Sequence, residues 1–163
     1  MVKKKGDNMA QLFEEKIALF NQKASNKEEA LKLLADEFMK KGVAKDTFYD
    51  AILSREKTFA TGLSCNNMCV AIPHTDPEHV NKVQLGFMTL QEPVDFIEMG
   101  TEDKHIGVTI IIMMALKEAH QQLDMLMKLM DVFQNDEVMD RLSKVQNFDE
   151  LFAVIKEVGL DEA

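Results

Sequence analysis

The run Ile106-Gly-Val-Thr-Ile-Ile-Ile-Met-Met-Ala-Leu116 constrains the fold of this chain more than any other segment. It is apolar on both alternations and rich in β-branched residues, and a strand of that kind needs cover on both faces. It is far shorter than the ~20 residues of a membrane-spanning helix. The run is therefore expected to be the central strand of a sheet with helices on either side.

The flanking segments supply those helices. Ser25-Asn-Lys-Glu28 reads as a capping box, with Ser25 as N-cap, and Ala30, Leu31, Leu34 and Phe38 then recur at helical spacing up to Gly42. Asp46 is expected to cap a second helix that carries Phe48, Tyr49, Ile52 and Leu53 and ends near Arg55-Glu56-Lys57. Lys117-Glu-Ala-His120 opens a third, with Ala119, Leu123, Leu126, Met127 and Met130 expected on its inner face. A shorter helix spans about Asp136 to Leu142. Asn147-Phe-Asp-Glu150 caps a last one bearing Leu151, Val154, Ile155 and Val158 and stopped by Gly159.

Strand signals lie between the helical blocks. The segment Leu12 to Phe20 reads as a strand around Ile17-Ala-Leu-Phe20 or, as the less favoured alternative, a short helix, and Thr58 to Leu63 and Met68 to Ile72 predict two short strands. Val83, Leu85 and Phe87 alternate with Gln84, Gly86 and Met88, which predicts a strand with one buried face. Pro93 predicts a turn, with Val94-Asp-Phe96 returning as an edge strand. Helices, strands and helices in that order, around a doubly covered strand, predict a three-layer α/β single domain with a mixed parallel and antiparallel sheet. Residues 1–8 are expected to be a mobile tail and residues 9–163 the domain.

Composition excludes several function classes. A formal net charge of -9 lacks the basic footprint that nucleic-acid binding needs, and it suits docking onto a basic protein. Cys65 and Cys69 are too few for a disulfide scaffold and lack a second ligand pair for zinc, so they read as reduced thiols of a cytoplasmic protein. The basic start Met1-Val-Lys-Lys-Lys-Gly is followed by no apolar signal segment. No Walker loop, GxGxxG or Gly-x-Ser-x-Gly element is present. The 12 methionines are expected to fill the core, mostly at inward positions.

Chemistry concentrates in Cys69-Val-Ala-Ile-Pro-His74-Thr-Asp76, a short apolar run that ends in Pro-His and opens into a polar turn. Strand ends are where α/β proteins place their sites, and a neutral imidazole there is a nucleophile. His120 lies at a second such mouth, where the central strand gives way to a helix start that favours anions. Arg55, one of two arginines with Arg141, has the fork that a phosphate dianion fits. Thr75 is a hydroxyl donor, and Asp76 either orients an imidazole or, more commonly for Asp before Pro, caps the turn at Pro77. His79 and His105 complete the histidines; His74, His79 and a carboxylate do not have the spacing of a known metal site.

Together, Arg55-Glu-Lys, Thr61-Gly62-Leu63, Val70-Ala-Ile-Pro-His74 and Ala119-His120-Gln-Gln-Leu123 resemble the enzyme IIA domain of the fructose–mannitol class of the bacterial phosphoenolpyruvate-dependent sugar phosphotransferase system. The run Val70 to Val80 is most similar to the galactitol-type branch, and the resemblance covers about residues 12 to 158. It implies a mixed sheet flanked by helices and a cytoplasmic phosphocarrier. His74 would take a phosphoryl group on Nε2 from the carrier HPr and pass it to a cysteine of enzyme IIB, which serves the membrane component IIC. His120 would support the phosphate and the ring, and Arg55 would stabilise the phosphate. The resemblance implies no metal or other cofactor. A regulatory IIA paralogue, acting through phosphorylation-dependent protein binding, would carry the same residues. The segment Ser64 to Cys69 departs from the usual Gly/Pro-containing connection, and neither cysteine has a role in the family pattern.

Overall fold

The computed structural model describes residues 11–160; the expected tail at 1–8 lies outside the described residues, as does the side chain of Ala119. The elements are β1 (Ala18–Gln22), α1 (Lys27–Lys40), α2 (Phe48–Thr58), β2 (Gly62–Ser64), β3 (Cys69–Ala71), a 3-10 turn (Pro77–His79), β4 (Gln84–Ile97), β5 (His105–Ala115), α3 (Ala119–Phe133), α4 (Asp136–Lys144) and α5 (Phe148–Val158). The five strands form one sheet in the order β1-β4-β5-β3-β2. β1 is parallel to β4, β4 antiparallel to β5, β3 parallel to β5, and β2 antiparallel to β3. The sheet is mixed, with β5 at its centre as the both-sided apolar run requires.

Helices cover both faces. Leu31, Leu34, Phe38, Phe48 and Ile52 of α1 and α2 pack on one side with Ala71, Met88, Ile111 and Met113. Met125, Leu129, Val132, Met139, Leu151 and Ile155 of α3 to α5 pack on the other with Val70, Leu85, Phe87, Ile110 and Ile112. Strict alternation along β5 breaks once: Val108 and Ile111 face one side, whereas Ile110 and Ile112 face the other. The β3–β5 register shifts between Cys69 and Val70 at this point, as an inserted residue in one strand requires. The break goes unpunished because both faces of β5 are apolar.

Five local expectations are corrected. The N-cap of α1 is Asn26 rather than Ser25: its side-chain oxygen accepts from the Glu29 backbone N–H at 2.8 Å. Asn is as good a cap as Ser, and the overlapping pattern one residue on prevails. The N-cap of α2 is Thr47 rather than Asp46, and it makes no side-chain cap bond. Its hydroxyl is engaged instead by His79 Nδ1 at 2.8 Å.

Pro93 does not turn the chain. β4 runs through it as one strand of 14 residues, with a register irregularity between Thr89 and Val94 that carries the proline past the ladder. β4 also buries both faces over Gln84–Leu90, not one. Gly86 is part of the reason: a Cβ there would lie 2.5 Å from the Phe38 ring, so the missing side chain lets α1 approach the sheet.

The inner face of α3 differs from the expected one. Met125, Leu129, Val132 and Phe133 are buried, whereas Leu123 and Met127 are 59% and 61% exposed and Met130 is exposed at 38%. The helix carries two apolar stripes at i, i+4, i+7 spacing, and periodicity alone does not choose between them. The methionines divide accordingly: Met88, Met113, Met114, Met125 and Met139 are core, and Met127 and Met130 are not. The cap of α5 is as expected, with Asn147 accepting from the Glu150 N–H at 2.9 Å and Gly159 at φ +74° ending the helix.

Candidate functional site

Beyond Ala71 the chain of β3 stays against β5. The Met114 N–H donates to the Pro73 carbonyl at 3.0 Å, and His74 pairs with Met114 as an isolated parallel bridge. Pro73 has no N–H to offer a ladder, so its carbonyl alone anchors the residue before the histidine. His74 is thereby fixed beside the C-terminal end of the central strand, and two neighbours in sequence, Thr75 and Ile72, are buried.

The ring is oriented by its own backbone. His74 Nδ1 lies 3.0 Å from the Ile72 carbonyl. A carbonyl only accepts, so Nδ1 carries the proton and Nε2 keeps its lone pair. Burial holds the His74 imidazole below the usual histidine range; the bond to Ile72 opposes this, the Arg55 guanidinium lowers it further, and Asp76 acts upward. The group is therefore a neutral imidazole at pH 7 with Nε2 as its nucleophilic atom.

Arg55 comes from the last turn of α2 and lines a cleft of about 480 Å³ with Thr75, Asp76, His79 and Phe59. Its Nη1 is 3.6 Å from Asp76 Oδ1, an ion pair too long for a hydrogen bond. The guanidinium carbon sits 5.1 Å from the Phe59 ring centroid. Its Nε atom is buried with no hydrogen-bond partner. Thr75 lies in the same cleft.

Asp76 precedes the Pro77–His79 turn at the capping position, yet its side chain makes no cap bond. The expected capping role is not what the carboxylate does, and the ring of His74 has the Ile72 carbonyl as its partner instead. His79 also belongs to this cleft, held by Thr47 and with Nε2 3.7 Å from Glu78 Oε1. His105 is remote from it in partner, bonding Asp95 at 2.8 Å across β4 and β5.

His120 stands at the second residue of α3, just beyond the end of β5. The β3 and β5 ends are neighbours and parallel, which brings the two strand mouths together. The His120 side chain itself is 72% exposed, with Nε2 3.1 Å from Glu118 Oε2. No hydrogen bond joins it to His74; it lines a different concavity, of about 920 Å³, with Leu12, Lys82, Leu116 and Met125. The structure thus gathers His74, Arg55, Thr75 and Asp76 at one mouth and leaves His120 at its neighbour.

Glu56 is a site-supporting residue that the sequence reading passes over. It is 3% exposed, and its carboxylate accepts from the Thr61 N–H at 2.8 Å and the Thr61 hydroxyl at 2.7 Å. Burial pushes its pKa up, and the two Thr61 bonds pull it back. This pair ties the end of α2, the turn that carries Arg55, to the residue that precedes β2. The signal was the Glu56-x4-Thr61 spacing across a helix end, which many solvated glutamates share.

Cys65 and Cys69 are free thiols at the β2–β3 hairpin. They pack toward opposite faces of the sheet, and burial raises the Cys65 pKa. Among the described residues no three His, Cys, Asp or Glu side chains converge as a metal site. No described helix is long and apolar enough to cross a membrane.

The chain is similar in sequence and fold to known proteins. The galactitol-specific EIIA component of the phosphotransferase system of Escherichia coli K12 is 26% identical over 117 residues, covering 72% of this chain and 77% of that protein. The ascorbate-specific EIIA component of the same organism is 29% identical over 153 residues, covering 88% and 92%. Enzyme IIAMTL of E. coli, solved by NMR in complex with phosphorylated enzyme IIBMTL, superposes with a TM-score of 0.69 at 25% identity, covering 85% of this chain and 94% of that one. The family model of the phosphoenolpyruvate-dependent sugar phosphotransferase system EIIA 2 matches residues 11–158, which takes in every element of the sheet and both histidine mouths. The chain therefore belongs to the EIIA 2 family of the sugar phosphotransferase system.

Proposed function

We propose that this chain is a cytoplasmic phosphocarrier that accepts a phosphoryl group on Nε2 of His74 from phospho-HPr and delivers it to a cysteine of an enzyme IIB. The observation that carries this reading is the Nδ1 contact to the Ile72 carbonyl, which leaves Nε2 as the one ring atom with a free electron pair. In the forward step the N–P bond of the donor breaks and its electron pair returns to the donor ring. The Nε2 lone pair forms the new N–P bond, and the Nδ1 proton stays in place. In the second step a thiolate attacks phosphorus and the electron pair of the N–P bond returns to Nε2.

Such transfer needs positioning and charge stabilisation rather than covalent help. Arg55 has an unpartnered Nε–H to offer a phosphoryl oxygen, and Thr75 stands in the same cleft. His120 would add a donor from the neighbouring strand end once a partner or the phosphoryl group draws it in. Leu123, Met127 and Met130 form an exposed apolar stripe on the helix that His120 opens, a face suited to a protein partner. The known IIAMTL–IIBMTL complex supports an enzyme IIB as that partner. The galactitol-specific relative suggests a galactitol-type system, with enzyme IIC as the membrane component downstream.

The test is incubation with enzyme I, HPr and labelled phosphoenolpyruvate. Wild type becomes labelled and His74→Ala does not. Normal labelling of His74→Ala would overturn the assignment. Sugar identity follows from which purified enzyme IIB discharges the label.

A further inference from the structure

We propose that Asp76 sets the phosphoryl-transfer potential of His74, acting as the counter-ion of Arg55 when the site is empty and as a repulsive neighbour when it is loaded. This rests on the phosphocarrier reading and adds a positioning residue to it.

The carboxylate has no structural work to explain it. It stands at the capping position of the Pro77–His79 turn without a cap bond, and it does not bond the His74 ring. Its partner is Arg55, at 3.6 Å, and Asp76 is the more exposed of the two at 67% against 31%. The Arg55 guanidinium is steadied on Phe59 and has a buried Nε–H with no acceptor. It is thus incompletely satisfied in the empty site, and Asp76 holds it at ion-pair distance without the short geometry of a full salt bridge.

Phosphorylation changes both partners. The phosphoryl group brings about -1.5 to -2 charges two residues from Asp76. It also offers Arg55 a better acceptor than a carboxylate 3.6 Å away. Once Arg55 turns to the phosphoryl group, Asp76 loses its counter-ion beside a new anion. Both terms act in one direction: Asp76 stabilises the empty site and destabilises the loaded one. A carrier must give up what it receives, and a carboxylate so placed keeps the phosphohistidine from becoming a sink.

The experiment is the equilibrium between phospho-HPr and this chain, at fixed total phosphoryl group, for wild type, Asp76→Asn and Asp76→Glu. Phosphoprotein is read by mass or by 31P NMR. Asp76→Asn is expected to shift the equilibrium toward the phosphorylated chain by on the order of tenfold, the factor for a dianion and a carboxylate a few ångströms apart in a water-like dielectric. The shift should shrink as salt rises, and Asp76→Glu should restore the wild-type position. Thermal unfolding of the unphosphorylated variants separates this from a folding defect. If wild type is phosphorylated and Asp76→Asn leaves the equilibrium unmoved, or moves it toward HPr, this proposal fails and the phosphocarrier reading stands. If wild type takes no phosphoryl group from HPr at all, both fail.

Discussion

His74 and His120 stand at the ends of neighbouring parallel strands and in opposite physical settings. His74 is held from behind, its Nδ1 against the Ile72 carbonyl and its backbone tied to Met114 of β5. His120 is 72% exposed on the first turn of α3, with Glu118 as its nearest charge. The first is pre-oriented and neutral, which a nucleophile requires. The second is open to solvent, with only a surface contact to Glu118. The two strand ends therefore differ in kind: one histidine is fixed by backbone contacts, the other stands open to solvent.

The sharpest way to break this division is to remove each imidazole. His74→Ala should reduce phosphoryl acceptance below detection. His120→Ala should leave it measurable but slower, by roughly 10²–10³-fold, the loss typical of one preorganised donor. Equal loss in both variants, read from initial rates of labelling, would erase the distinction between them.

The buried side has a support that the exposed side lacks. Glu56→Ala would leave the buried Thr61 N–H without an acceptor, at a cost of about 1–3 kcal/mol in urea unfolding. Glu118→Ala, beside His120, should cost no more than about 0.5 kcal/mol because that contact is a surface pair. A larger effect at Glu118 than at Glu56 would reverse the picture of which strand end is braced.

Acid should sharpen the comparison further. His74 has its pKa depressed by burial, so below about 6.5, the ordinary histidine value, the unfolded chain binds a proton that the folded chain refuses. Stability attributable to His74 should therefore fall as pH drops through the window that begins near 6.5 and ends at its lower folded value. Glu56 acts in the opposite sense: burial raises its pKa above 4.5, so its contribution falls as pH rises through the window above 4.5. A histidine-resolved NMR titration checks the first directly; a His74 midpoint above 6.5 would contradict it.

The smallest expected effect lies on the α3 stripe. Leu123→Ser should change stability by no more than about 0.5 kcal/mol, since Leu123 is 59% exposed. It should nonetheless slow transfer to enzyme IIB, measured as discharge of the labelled chain. Unchanged discharge would remove the stripe from the docking surface.

Most of the layer architecture was legible in the sequence because it rests on one strong pattern. The Ile106–Leu116 run is apolar on both alternations and could belong only to a covered central strand, and it tolerated a register shift that would scramble a one-sided strand. The histidine mouth was legible too, because Pro73-His74 closes a short apolar run. What stayed hidden depends on packing. The two stripes of α3 look alike in sequence, and only contact with β4 and β5 selects Met125 and Leu129 over Leu123 and Met127. Pro93 reads as a break, yet an irregular stretch between Thr89 and Val94 lets β4 continue. Thr47 stands at the start of α2 with its hydroxyl on His79, 32 residues away, a contact that no local pattern shows. Glu56 was invisible for a similar reason: it is buried and bonded to Thr61 beyond the helix end, which its local sequence does not show.

The most direct test of a pre-oriented His74 is nitrogen-resolved NMR of the phosphorylated chain. Phosphorus bonded to Nε2 of His74, with the proton retained on Nδ1 facing Ile72, is the expected result. Phosphorus on Nδ1 of His74, or on either nitrogen of His120, would show that the backbone contact does not choose the nucleophile.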